Sequence, residues 1–274
     1  DKSVITTNAL AMYLPVILAL SASSPYWLGR DTGMASARTK VFEAMPTTGI
    51  PPQLADWDDY NRLLNALMQA GTIETVKEIW WDIRPHPDFG TVELRMCDGI
   101  TTLRETATIA AIAQSMVTKI DEMVDAGETF DLLPDWVLRE NKWRASRWGL
   151  DATLIRTQDG ETQPLREQLA EIIDFLTPTA EKLGCVDDLR HALTMAEQGS
   201  SYLRQRAVVA GGGSLVDVVK LLIAETDESF AQYGVTGARG KPEESVCAIR
   251  EHPLRPAPRV VPISTPSVKG PSMS

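Results

Sequence analysis

Residues 78–98 read EIWWDIRPHPDFGTVELRMCD, and this stretch decides how the fold is read. Ile79, Trp81 and Ile83 alternate with Trp80, Asp82 and Arg84, a period of two that belongs to a strand and not to a helix. Prolines and Gly90 interrupt the run. Alternation then resumes, with Val92, Leu94 and Met96 against Thr91, Glu93, Arg95 and Cys97. Two such runs around a Pro/Gly turn predict a strand pair with one apolar face on a core and one charged face. At about 3.3 Å per residue, Glu93 and Arg95 would hold their Cα atoms about 6.6 Å apart, with Asp82, Arg84 and His86 on the neighbouring strand.

Beyond this pair the sequence turns helical. Thr102-x-x-Glu105 has the spacing of a capping box and opens a stripe of Ile109, Ile112, Met116, Ile120 and Val124, three and four residues apart. Another helix starts near Pro164, with Leu165, Leu169, Ile172, Ile173 and Leu176 on one face. Helices are also expected over about 8–22, 57–70, 135–147, 186–197 and 214–232, the last capped by Ser214 after three glycines. From residue 240 prolines become dense and apolar periodicity vanishes, so 239–274 is expected to be a disordered tail behind a domain of residues 1–238.

The chain has 274 residues, enough for one large domain or two modest ones. With 43% hydrophobic and 23% charged residues it has globular composition, which excludes collagenous and low-complexity classes for most of its length. Twenty-seven basic against 37 acidic side chains leave a formal charge of −10, a field that repels nucleic-acid backbones, so no nucleic-acid partner is expected. The cysteines Cys97, Cys185 and Cys247 and the histidines His86, His191 and His252 are scattered without zinc-like spacing, and a reducing cytoplasm is the expected setting. Residues 9–23, ALAMYLPVILALSAS, imitate the apolar part of a signal peptide. No basic leader precedes them, Pro15 interrupts them, and they fall short of the ~20 apolar residues of a membrane span; a buried core helix and no membrane association are expected. The absence of an initiating methionine suggests a processed or truncated chain.

The charged strand face admits two readings. One is a solvated antiparallel face with cross-strand ion pairs. The other is a site where oxygen ligands hold Mg²⁺ while arginines neutralise phosphate charge. The 21–40 loop places Arg30, Asp31, Arg38 and Lys40 among glycines and small residues, which suits either an anion clamp or a mobile surface loop. Asn141, Arg144 and Trp148 recur at helical spacing beside Arg147 and Trp143, an arrangement that could grip an anion or simply bury tryptophans. Cys97 has no histidine placed beside it and is read as an inert thiol.

Three segments carry a resemblance: SASSPYWLGRDTGMASARTKVFEAMPTTGIPP (21–52), WWDIRPHPDFGTVELRMCD (80–98) and ENKWRASRWGLDATLI (140–155). Together they resemble the type 2 glutamate–cysteine ligase family, whose bacterial members are ATP-dependent carboxylate–amine ligases, over residues 10–222 or so. The resemblance implies an α+β fold of glutamine-synthetase-like type: an antiparallel sheet, backed by helices, forming the floor of a nucleotide and metal site, with a helix-rich C-terminal half. It implies ATP and Mg²⁺ as cofactors, an acyl phosphate between a substrate carboxylate and an amine, small amino-acid and amine substrates, and a homodimer. By the same resemblance Glu93 is a metal ligand, Arg95 meets the phosphoryl group or acyl phosphate, and Arg84 and His86 line the floor. Arg30 and Arg38 border the amino-acid substrate, and Asn141 and Arg147 belong to the family's ENxWRAxRxG segment.

Members of that family also carry an acidic GxEEE-like strand and an HVHVG-like strand ahead of these segments, and both are missing from this sequence. A single Glu93 is too few carboxylates for several magnesium ions. The expectation is therefore an ATP-dependent ligase, with the alternative of a non-catalytic or split subunit completed by another chain, for example a separate N-terminal fragment.

Overall fold

Pro15 splits what the sequence presents as one N-terminal helix. In the computed structural model, which describes residues 2–87 and 89–234, α1 (Lys2–Ala11) and α2 (Leu14–Ser21) meet at a 61° bend. Proline lacks an amide hydrogen, and its ring would collide with the carbonyl four residues back, so it is accommodated in the first turn of a new helix. Every residue of α2 is buried, as expected of a core helix, although the helical segment begins at Lys2 and is two elements. Among the described residues no single helix is long and apolar enough to cross a membrane.

A small hairpin follows, β1 (Tyr26–Trp27) with β2 (Arg30–Asp31), then α3 (Ala37–Phe42), whose N-cap Ser36 accepts the Thr39 amide hydrogen. After β3 (Thr48–Gly49) comes α4 (Trp57–Gln69), ending ahead of Gly71 as its sequence predicts. The alternating run at 78–98 forms β4 (Trp80–Trp81), β5 (Ile83–His86) and β6 (Thr91–Leu94). β4 pairs in parallel with β3, whereas β5 and β6 form the expected antiparallel ladder, with Arg84 opposite Glu93 and His86 opposite Thr91. Ile79, Trp81, Ile83 and Met96 are buried, so the apolar face lies on the core as the alternation requires. The charged face departs from expectation: Asp82, Arg84 and His86 are each less than a tenth exposed.

The remainder is helical. α5 (Leu103–Asp125) starts at N-cap Thr102, and α6 (Asp135–Trp148) follows. A hairpin the sequence reading missed, β7 (Thr153–Ile155) with β8 (Thr162–Pro164), leads into α7 (Leu165–Leu183) and α8 (Val186–Gln198). α9 (Ser201–Ala210) was also missed; the side chains it buries include Ser201, Tyr202 and Gln205, so it has no apolar stripe to read. α10 (Leu215–Gln232) follows, with Ser214 and Asp217 forming a reciprocal capping box. The main core brings α2 together with Met116 and Ile120 of α5, Leu169 and Leu176 of α7, and Leu189 of α8. Each such side chain contributes about 1.5–3 kcal/mol on burial.

The described residues are therefore α+β, built from helices and four two-stranded sheets. The expected 239–274 tail lies outside the described residues.

Candidate functional site

The β5–β6 ladder places Arg84 and Glu93 on one face because they are cross-strand partners. Arg84 Nη2 donates to Glu93 Oε2 at 2.6 Å, and Arg95 Nη1 donates to Glu93 Oε1 at 2.6 Å. Burial works to raise the Glu93 pKa, but the two guanidinium groups win and hold it below the usual carboxylate range. Arg84 Nη1 also donates to the carbonyls of Val76, Lys77 and Ile79, at 3.2, 3.2 and 2.8 Å, which ties the 76–79 turn over the strand. Three nitrogens on this surface are buried with no hydrogen-bond partner among the described residues: Arg84 Nε, Arg95 Nε and His86 Nδ1. Buried polar atoms are rarely left in that state. Two of them are N–H donors on cations, which pair most strongly with anionic acceptors. His86 packs against Phe89 in a tilted arrangement, ring centroids 4.5 Å apart, and borders a cavity of about 330 Å³ shared with Trp57, Pro85 and Gly90.

Asp82, although it precedes β5 directly, is committed elsewhere. It pairs with Lys142 of α6, which also reaches Glu43, while Glu43 takes a second bond from Lys40 at 2.8 Å. Burial pushes the Asp82 carboxyl up against the pull of Lys142. For Glu43 burial also acts upward, but Lys142 and Lys40 hold it low. The sequence reading missed Lys142 and Glu43. A signal was present: Leu138, Lys142 and Ala145 lie four and three apart on one face of α6, and a lysine within an apolar stripe demands buried carboxylates.

Asp98 is a third missed residue and organises the 21–40 loop. Its carboxylate accepts from Ser23 N at 2.8 Å, Ser24 Oγ at 2.7 Å and Ser36 Oγ at 3.0 Å. Arg38 lies alongside, its guanidinium nitrogens 3.5 Å from the Met96 carbonyl and 3.4 Å from the Arg95 carbonyl, so loop and ladder meet there. Arg30 is exposed at the β1–β2 tip. Its neighbour Asp31 pairs with Arg206 at 2.8 Å. Arg147 lies against Gly33: a methyl group at Gly33 would sit 2.6 Å from Arg147 Nη1, and Gly33 holds φ +72°. The strand-ladder arginines Arg84 and Arg95 and the loop residue Arg38 thus share one region. Asn141 does a different job, clamping the backbone of Ile155 by accepting its N–H at 2.7 Å and donating to its carbonyl at 2.8 Å. Burial pushes the Cys97 thiol up, in keeping with an inert thiol.

As a magnesium site the described residues fall short. They contain no group of three or more His, Cys, Asp or Glu side chains placed to hold a metal ion, and both Glu93 oxygens already accept from arginine. As an anion site they are better equipped, because Arg95 is partly exposed and its Nε is unsatisfied.

Comparison with known proteins adds a family. The description "Glutamate-cysteine ligase family 2 (GCS2)" matches residues 1–220. "Putative glutamate–cysteine ligase 2" of Thermobifida fusca (strain YX) is 47% identical over 245 residues, which is 89% of this chain and 61% of that protein. "Putative glutamate–cysteine ligase 2-1" of Frankia casuarinae is 47% identical over 226 residues, 82% of this chain and 59% of that protein. "Putative glutamate–cysteine ligase 2-2" of Nocardia farcinica is 43% identical over 221 residues, 80% of this chain and 58% of that protein. The chain spans about three fifths of the length of these curated relatives.

Proposed function

The chain belongs to glutamate–cysteine ligase family 2, and from that premise we propose that it supplies part of an ATP- and Mg²⁺-dependent ligase joining a carboxylate, glutamate or another amino acid, to an amine. In this reading the reaction runs through an acyl phosphate in a cytoplasmic setting, and the β5–β6 pair belongs to a glutamine-synthetase-like floor. The observation that carries it is the pair of orphaned Nε atoms on Arg84 and Arg95, whose guanidinium groups flank the Glu93 carboxylate, within the matched region. Preorganised donors aimed at developing negative charge are the main means of stabilising acyl and phosphoryl transfer. Arg95, half-buried and beside the loop that bears Arg38, would meet the anionic reacting group. Arg84 would fix the orientation of Glu93, and Arg30, Arg38 and Arg147 would border the amino-acid substrate. Glu93 would be one carboxylate of a metal site whose other ligands are not among the described residues.

The test is amine-dependent ADP release by Glu93→Gln, with thermal unfolding as the fold control. Loss of turnover with the fold intact is expected, and normal turnover would remove Glu93 from the reacting site. A second reading is a non-catalytic or split subunit that needs another chain, and the observation in its favour is that both Glu93 oxygens already accept from arginines. Native mass spectrometry with Mg·ATP separates the two. Nucleotide bound to this polypeptide without a foreign chain supports the first reading, and nucleotide bound only in a complex with a second polypeptide supports the split one.

A further inference from the structure

The bend between α1 and α2 leaves Met12 and Tyr13 outside both helices, where they form one wall of a cavity of about 440 Å³. The 131–134 segment ahead of α6, the 156–159 turn between β7 and β8, and Gln168 in the first turn of α7 form the others. None of these residues belongs to β5, β6 or the 21–40 loop, so the cavity shares no wall with the arginine–carboxylate surface. Its volume falls within the range of about 300–1,000 Å³ that small-molecule sites occupy. The chain holds these walls in place by itself. Gln53 Nε2 donates to the Leu133 carbonyl at 2.7 Å, and the Arg156 amide donates to the Glu161 carbonyl at 2.7 Å.

The polar groups of this lining are only partly used. Arg156 spends Nη1 on Glu171, at 2.9 Å, and on Gln163, which leaves its Nε and Nη2 without a partner among the described residues. Asp131 and Asp159 are exposed, and neither carboxylate is paired among the described residues. Gln168 Oε1 is buried with no hydrogen-bond partner, a state that buried polar atoms rarely keep. Burial pushes the Tyr13 hydroxyl pKa up against the pull of Arg156, so the phenol stays protonated beside that cation. These charges select the ligand. A simple anion would meet two carboxylates, and a simple cation would meet the guanidinium, whereas a zwitterion satisfies both signs. Met12, Leu132 and Leu133 add apolar surface for an aliphatic side chain. We infer that this cavity binds a free aliphatic α-amino acid, its carboxylate on Arg156 and its ammonium on Asp131 and Asp159, with Gln168 Oε1 as a further acceptor. Such a site stands whether or not the chain takes part in a ligase.

The experiment is equilibrium dialysis of radiolabelled L-leucine against the 274-residue chain, with circular dichroism as the fold control for each variant. Saturable binding of one leucine per chain is expected. Isoamylamine is leucine without its carboxylate, and isocaproate is leucine without its ammonium group. Each should compete about tenfold or more weakly than unlabelled leucine, because each gives up a charge-assisted contact. Arg156→Gln and the double variant Asp131→Asn/Asp159→Asn should each weaken binding by about tenfold or more. Both should fold normally, since all three side chains are exposed. The absence of saturable binding overturns the inference. So does equal competition by the amine or the acid alone, and so does binding that survives both sets of substitutions. Binding lost in Arg95→Ala but kept in Arg156→Gln would place leucine at the strand ladder and overturns it as well.

Discussion

Arg84 and Glu93 stand directly opposite each other in the β5–β6 register, yet the arginine uses only one of its amino groups on the carboxylate and gives the other to three backbone carbonyls of the 76–79 turn. Arg84 is thus a fastener as much as a charge. Arg84→Ala is expected to lower the unfolding free energy by about 2–4 kcal/mol, since it strands buried carbonyls as well as a carboxylate. Arg84→Lys should not recover the loss, because an ammonium cannot reach both sets of acceptors. Urea unfolding measures both variants.

Arg95 should behave in the opposite way. Its side chain reaches Glu93 from a half-exposed position, so Arg95→Ala should cost under about 1 kcal/mol of stability. If the reacting anion binds there, the same change should abolish turnover. Calorimetry with Mg·ATP beside urea unfolding separates the two effects, and full activity in Arg95→Ala would remove that residue from the reaction.

Lys142 is enclosed by Asp82 and Glu43 in the interior. Lys142→Met is expected to destabilise by about 3–5 kcal/mol, because Asp82 would be left buried and unpaired. Adding Asp82→Asn and Glu43→Gln should recover most of the loss. A triple variant no more stable than the single one would mean that the packing of the lysine stem, and not charge, holds this region.

The same group sets part of the acid limb. Glu43 and Glu93 have folded pKa values below their ordinary one, so their contribution is complete above the ordinary value and is lost as pH falls through the lowered one. Asp82 has the reverse sign: burial raises it, the folded chain binds its proton first, and stability declines as pH rises from the ordinary value through the raised one. Glu43→Gln is therefore expected to narrow the difference between urea midpoints measured at about pH 6 and about pH 3. An unchanged difference would exclude Glu43 as a source of the acid sensitivity.

Gly33 and Gly29 allow backbone strain to be told apart from side-chain collision. Both hold left-handed φ, +72° and +79°, but only Gly33 has a neighbour within contact distance, the Arg147 guanidinium. Gly29→Ala should cost about 1–2 kcal/mol from the backbone alone. Gly33→Ala should cost a similar amount and also displace Arg147. A rise in the substrate KM in Gly33→Ala that is absent in Gly29→Ala would assign Arg147 to substrate contact, and equal KM values would leave it structural.

Much of this architecture was readable from local pattern. The strand pair announced itself through alternation, α5 and α7 through apolar stripes, α5 also through its Thr102 cap, and α4 through the Gly71 that follows it, because each buries an apolar face that its own sequence displays. Features that depend on contacts distant in sequence were not readable. α9 buries polar side chains and shows no stripe. Thr102 caps α5 as its spacing predicts, while Glu105, the supposed reciprocal partner, turns to Arg204 at 2.8 Å, a residue 99 positions away. Asn141, chosen by resemblance, clamps Ile155, and Lys142, its unremarked neighbour, holds the buried carboxylates.

Asp98 fastens the 21–40 loop at Ser23, Ser24 and Ser36 with one carboxylate, so both legs of the loop hang from a residue 62 to 75 positions downstream. The loop is in effect a cassette whose latch is encoded outside it. Anyone grafting this segment between relatives would have to move Asp98 with it, and a library that randomises the loop while keeping Ser23, Ser24, Ser36 and Asp98 samples new side chains on an anchored frame.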